Sequence, residues 1–189
     1  MGTDHHGNRY GRSERARQAV LEAADDLLVE HGFAGLTVEK IAARAGVAKQ
    51  TIYRWWPSKV DILLEAFGDD QAEALTPADH GSLAADLREH LAAMADFLTT
   101  SDAGAVYRAL IGQAQHDPAL AARLRDTHLA AQHARDRLPF ERAVARGELP
   151  ADTDIDALVE RLVGAVHYRV LVTGAPVSRD FTDALITPL

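Results

Sequence analysis

The sequence predicts an all-α protein: an N-terminal three-helix unit with a helix-turn-helix corner, followed by a C-terminal helical bundle. Three observations predict it. Apolar residues recur at spacings of three and four along most of the 189 residues. No sustained apolar–polar alternation and no Asn-Gly hairpin turn signals a strand. Glycine and proline gather at the ends of the periodic segments, where helices start and stop.

The first helix spans about residues 13–30, with Val20, Ala24, Leu27 and Leu28 on one face and Gly32 as its stop. Two short helices, 37–45 and 48–55, flank a glycine turn, and a fourth starts at Pro57-Ser58-Lys59 and carries Val60, Leu63, Leu64 and Phe67. The stretch DDQAEALTPADHGS is poor in large apolar residues and marks a seam near residue 76. Beyond it, Leu83, Leu87, Leu91, Met94 and Leu98 draw a stripe, and residues 103–115 form a shorter helix. Asp117 and Pro118 start a long helix that Pro139 is expected to break or kink, with a short piece running on to Gly147. Residues 154–171 are the most apolar helix, and Ser178 caps a last one after Gly174-Ala175-Pro176.

Composition narrows the function classes. Hydrophobic residues make up 47% of the chain and charged residues 25%, the balance of an ordinary globular protein able to bury a core. The absence of cysteine excludes disulfides and thiolate zinc sites and permits a reducing cytoplasm, the compartment expected here. The polar start lacks the apolar core of a secretory signal, and Arg161, His167 and Arg169 interrupt the longest apolar stretch, so neither export nor a membrane span is expected. The net charge is −8, but residues 1–68 carry nine Lys or Arg against nine Asp or Glu, which leaves the whole excess of acid in 69–189. Two basic clusters stand out: Lys40, Arg44, Lys49, Arg54 and Lys59 against Glu39 alone, and Arg9, Arg12, Arg15 and Arg17 against Glu14. The division at 68/69 therefore separates a neutral unit with basic clusters from an acidic one.

Within the first unit, VEKIAARAGVAKQTIY has a steric reason for each place. Ala42 is small where two helices cross, Gly46 permits a tight corner, and Ile41, Val47 and Ile52 fill the wedge between the helices. Thr37 stands where an N-cap is needed. A corner of this kind presents the start of its second helix to the major groove of duplex DNA, while flanking groups hold phosphates. The DNA-contacting set is Thr37, Arg44, Ala48, Lys49, Gln50, Thr51, Tyr53, Arg54, Trp55 and Lys59. Lys49 suits guanine and Gln50 adenine; Tyr53, Arg54, Trp55 and Lys59 lie nearer the backbone. Trp56, one turn after Ile52, is expected in the core. The N-terminal arginines read equally as a DNA-contacting arm or as an unengaged basic tail.

The segment from RSERARQAVLEAADDLLVEHGF through LTVEKIAARAGVAKQTIYRWWPSK resembles the DNA-binding domain of TetR-family transcriptional regulators. The match lies in the HGF ending of the first helix, the LTVEKIAARAGV segment and the aromatic pair before Ser-Lys. TGAP before the last helix is similar to one subgroup of that family. The resemblance implies a homodimer on a palindromic operator, repression relieved by a small-molecule effector, and no catalysis. It also matches Tyr53, Trp55 and Lys59 to phosphate-contacting positions, with Trp55 an aromatic where some members place histidine.

In the acidic part, an effector cavity is expected between helices near residues 83–131, with Met94, Phe97, Leu98, Tyr107, Leu110, Ile111, Leu124 and His128 as its walls. His128 continues the line of Leu120, Leu124 and Ala131, so it reads as a ligand contact or as a hydrogen-bonded core histidine. The helix at 154–171 is apolar on too broad an arc for one packing face. A four-helix dimer contact through Leu158, Leu162, Ala165, Val166, Arg169, Phe181, Ala184 and Leu185 would cover the surplus, the other reading being a central core helix in a monomer. The alternatives are a constitutive DNA-binding protein without an effector and, from another class, a helical-bundle enzyme. No Glu-x-x-His pair, phosphate-binding glycine loop or nucleophile elbow supports it, and neither a metal nor a cofactor is expected.

Overall fold

A computed structural model describes residues 7–187 of the chain, with side chains for 13–67 and 75–187. The elements in order are α1 (Gly7–Gly35), α2 (Val38–Ala45), α3 (Lys49–Trp55), α4 (Lys59–Ala74), α5 (Leu83–Thr100), α6 (Asp102–Ala114), α7 (Pro118–Leu124), α8 (Ala130–Arg146), α9 (Ile155–His167) and α10 (Arg179–Ile186). Two π-helical turns extend them: Arg125–Leu129 joins α7 to α8, and Tyr168–Thr173 prolongs α9. No strand occurs among the described residues.

The N-terminal head forms because each short helix has a cap and a buried face. On α1, Val20, Leu21, Ala24, Leu27 and Leu28 are buried at helical spacing. Gly32 interrupts α1 with φ 66° and ψ 174°, and a last turn follows to Gly35. The Thr37 side chain accepts from the Lys40 amide at the start of α2, and Gly46, at φ 67°, closes α2 in the left-handed conformation that glycine adopts without strain. Ile41, Ala42 and Ile52 are buried in the wedge between α2 and α3, with Val47 packed against the same core. Trp56 is 2% exposed, and its indole N–H donates to Glu65 of α4.

The charge boundary at 68/69 falls inside α4, which packs on α1 and also on α6. One continuous core therefore runs through head and body. The connecting loop comes later, at 75–82, where α8 holds it: Arg142 donates to the Pro77 and Ala78 carbonyls, and Arg146 pairs with Asp79 and with buried Asp86.

In the body, α5 buries the expected stripe of Leu83, Leu87, Leu91, Met94 and Leu98. Asp117 caps α7 through the amides of Ala119 and Leu120. Pro139 does not break the helix, which continues from Ala130 to the left-handed Gly147. The proline lies on the buried face with Asp136, Phe140 and Ala143, packed toward α5, and that packing holds the helix through one missing donor.

A charged link ties α7 to the start of α4. Asp61 accepts from the Ser58 hydroxyl at 2.6 Å and from the Arg123 guanidinium at 2.7 Å. Burial opposes ionisation of Asp61, but these hydrogen bonds outweigh it and hold the carboxyl below its ordinary value. With the folded pKa below the unfolded one, the stability this link adds is fully present above the ordinary carboxylate value of about 4 and is lost as the pH falls through the folded value. Arg123 is 55% exposed, so solvent screening limits the contribution to about 0.5–1 kcal/mol. Urea unfolding of the wild type and Asp61→Asn is expected to differ by that amount near neutrality and to converge in acid. A difference that survives acidification would place the effect in packing rather than in charge.

Candidate nucleic-acid interface and effector cavity

The corner at Gly46 turns the start of α3 outward, leaving Ala48, Lys49 and Gln50 exposed and Thr51 half-buried. Ala48 provides no capping side chain, so nothing bulky stands at the tip of the helix. Lys49 pairs with Glu39 at 3.1 Å, with both side chains more than half exposed. Tyr53 is 52% exposed and Arg54 is exposed beside it, its guanidinium 5.2 Å from the ring centre of half-buried Trp55. Trp55 packs edge-on against Trp56. Exposed donors and one aromatic thus gather on the outer face of a helix anchored by Ile52 and Trp56.

Two cations expected at DNA are engaged inside the protein. The Lys59 ammonium lies over the Phe33 ring and donates to the Phe33 and Leu36 carbonyls at 2.7 and 2.9 Å, capping the end of α1; burial lowers its pKa. Arg44 forms a two-pronged pair with Glu30 of α1 at 2.8 and 2.7 Å. Both hold α1 to the helices beside it in the free chain. Arg17 likewise pairs with Glu14 and with Glu65 of α4, whereas Arg15 is exposed. The side chains of Arg9 and Arg12 lie outside the described residues, as do His5 and His6. Thr37 is half-buried and serves its cap.

The body contains a cavity of about 360 Å³ between α5, α6, α8 and α9. Met94, Phe97, Leu98 and Tyr107 line it as expected. Leu110, Ile111, Leu124 and His128 do not: Leu110 and Leu124 are buried in the core, Ile111 packs against it, and His128 meets Phe67 edge-on with ring centres 5.1 Å apart. Burial lowers the pKa of His128. It lines a second cleft with Trp55, Trp56, Asp61 and Arg123, where head meets body. The polar wall of the main cavity comes from residues the sequence did not single out: Gln132, His133 and Asp136 of α8, and Glu160 and His167 of α9. The His167 Nδ1–H donates to the Val163 carbonyl at 2.9 Å, so Nε2 accepts from the Tyr107 hydroxyl at 3.0 Å. Burial, and then the nearby charge of Asp136, pushes the Tyr107 phenol up to about 12.

The expected dimer face is rotated. Leu162 and Val166 are 1% and 0% exposed and belong to the core of their own chain, so they are withdrawn from that face. Leu158, Ala165, Phe181 and Leu185 are half-buried and Ala184 is exposed. Arg169 stacks over Phe181 at 3.9 Å and donates to the Pro176 carbonyl, joining α9 to the last helix. Beyond α9, Tyr168 and Val172 are 59% and 68% exposed, large apolar groups on the π-helical turn.

Among the described residues, no helix is long and apolar enough to cross a membrane, and no three metal-ligating side chains come together.

Comparison with known proteins agrees with this geometry. Residues 20–66 match the family model of bacterial regulatory proteins of the tetR family, and residues 77–189 match that of the tetracyclin repressor-like C-terminal domain. The HTH-type transcriptional regulator YdeS of Bacillus subtilis is 35% identical over 175 residues, 93% of this chain and 88% of that one. The TetR family transcription regulator SCO0332 superposes with a TM-score of 0.73 at 36% identity, covering 91% of this chain and 94% of the other. FadR from Bacillus subtilis, solved in complex with stearoyl-CoA, shares the fold at a TM-score of 0.69 and 19% identity, covering 90% and 95%. The matched models cover both parts of the sequence and the exposed α3 stands where a DNA reader must, so the chain belongs to the TetR family of DNA-binding transcriptional regulators and is not an enzyme.

Proposed function

We propose that the chain acts as a homodimeric repressor that grips a palindromic operator with paired α3 helices and leaves it when a small molecule fills the body cavity. The observation that carries this reading is α4. Its first residue, Lys59, holds the head through the Phe33 and Leu36 carbonyls, while Phe67 further along packs against Phe97 and Tyr107 of the cavity wall. A ligand that displaces those rings shifts the helix bearing the head, and with it the separation of two recognition helices. The apolar residues of α9, its π-helical turn and α10 supply a face for the second copy. Selecting fragments from random DNA with the purified chain tests the arrangement. A palindrome with half-sites one duplex turn apart, about 34 Å, is the expected product, and a lone asymmetric half-site would overturn the dimeric reading.

A further inference from the structure

The cavity that the proposed release mechanism uses also carries information about the charge of its occupant. Its apolar side is Met94, Phe97 and Leu98; its polar end is Asp136, only 4% exposed. One oxygen of that carboxylate, Oδ1, accepts from Gln132 at 2.7 Å and from the His90 ring at 2.9 Å. Among the described residues Oδ2 has no hydrogen-bond partner, although the side chain lines the cavity. Glu160 adds a second carboxylate at the exposed rim.

Among the described residues no lysine or arginine lines the cavity, and residues 68–74 contain neither. Arg135 stands behind Gln132, donating to its Oε1, and is not part of the wall. His167 has both ring nitrogens engaged in its neutral form, and His133 is turned to Asp156, which also holds Arg137. The Tyr107 phenol, raised first by burial, is raised further by the same carboxylate. A carboxylate or phosphate brought into this space would face a like charge, with the His90 ring spent on Asp136 Oδ1 and no lysine or arginine on the wall to offset it, in surroundings where water screens poorly.

We infer that the cavity binds a protonated lipophilic amine, its N–H donated to the free oxygen of Asp136 and its carbon skeleton laid against Phe97, Met94 and Leu98. The inference rests on this cavity being the effector site. An aromatic ring near Asp136 adds to the same preference, since the face of Tyr107 or Phe97 attracts a cation.

Three probes of one skeleton separate the possibilities: 4-phenylbutylamine, 4-phenylbutanol and 4-phenylbutyrate, titrated calorimetrically into the full chain near neutrality. The amine is expected to bind at least about 10-fold more tightly than the alcohol, the increment of a charge-assisted hydrogen bond, and the acid most weakly. Asp136→Asn should bring the amine to the level of the alcohol while leaving the alcohol unchanged. Because Asp136 is buried, Glu160→Gln at the exposed rim supplies an independent variant, expected to reduce the preference for the amine by about 2- to 3-fold without touching the core. The inference is overturned if the acid binds as tightly as the amine, if none of the three binds, or if the preference survives in both variants. An amine that binds in the expected order but leaves operator DNA bound would defeat the release mechanism and not the ligand class. Release by the acid alone would do the reverse.

Discussion

Lys49→Ala is expected to weaken binding to the selected operator by roughly 30- to 20,000-fold, because a good base contact is worth about 1–3 kcal/mol and the proposed symmetric dimer loses it twice. The side chain is placed for this at the exposed opening of α3, one residue past the uncapped Ala48 and three past the corner at Gly46. In the free chain its ammonium rests on Glu39, but both groups are more than half exposed, so exchanging that partner for a base edge costs little. The neighbouring Glu39→Gln should therefore change affinity far less, by no more than about 5-fold. Fluorescence anisotropy on the operator, on single-base variants of it and on random duplex distinguishes the roles. A base reader loses discrimination at one position of each half-site; a phosphate contact weakens all sequences alike and flattens the salt dependence. Equal losses on operator and random DNA would remove Lys49 from the reading set.

The corner around Gly46 was legible because its requirements are local and steric. Thr37 as cap, Gly46 at positive φ, and Ile41, Val47 and Ile52 in the wedge are each fixed by residues within a few positions. The cations were harder to place for a physical reason. A sequence shows that Lys59 and Arg44 are charged, but the carbonyls of Phe33 and Leu36 that hold Lys59, and the Glu30 that holds Arg44, lie 14 to 26 residues away. The cavity wall was missed through register. Extending the line of Leu120 and Leu124 with the ordinary helical period turns Ala131 inward; the π-helical turn at Arg125–Leu129 inserts extra chain, so Ala131 is exposed and Gln132 and Asp136 face the interior. No local pattern announces such a turn. On α9 the π-helical turn comes only after His167, and there Val159, Leu162 and Val166 make the buried face at ordinary helical spacing while Leu158 and Ala165 lie at its edge. Pro139 shows the opposite balance, a strong local breaker overruled by the packing of the face it lies on.

Phe67→Ala is expected to lower the melting temperature by about 6–20 °C. Removing a buried phenyl ring costs about 3–5 kcal/mol, and in a chain of this size each kcal/mol shifts the midpoint by about 2–4 °C. The ring is completely buried, with centres of Phe97, Tyr107 and His128 at 6.4, 5.6 and 5.1 Å. Those neighbours give the position its functional weight. Phe97 and Tyr107 are walls of the body cavity proposed to take the effector, His128 belongs to the cleft against the DNA-binding head, and Phe67 itself sits on the helix that carries the head. One side chain thus touches every part that a ligand signal must cross. Phe67→Leu keeps the volume apolar and costs far less stability, about 1–1.5 kcal/mol, but loses the flat edge that follows a tilt of Tyr107. In that variant, operator affinity without ligand should stay within about 3-fold of the wild type, while the ligand concentration needed for release rises. Calorimetry for stability and anisotropy for release read the two effects separately. If Phe67→Leu releases DNA at the wild-type ligand concentration, the signal reaches α4 by a route that bypasses this aromatic cluster, and Phe67 is a core residue only.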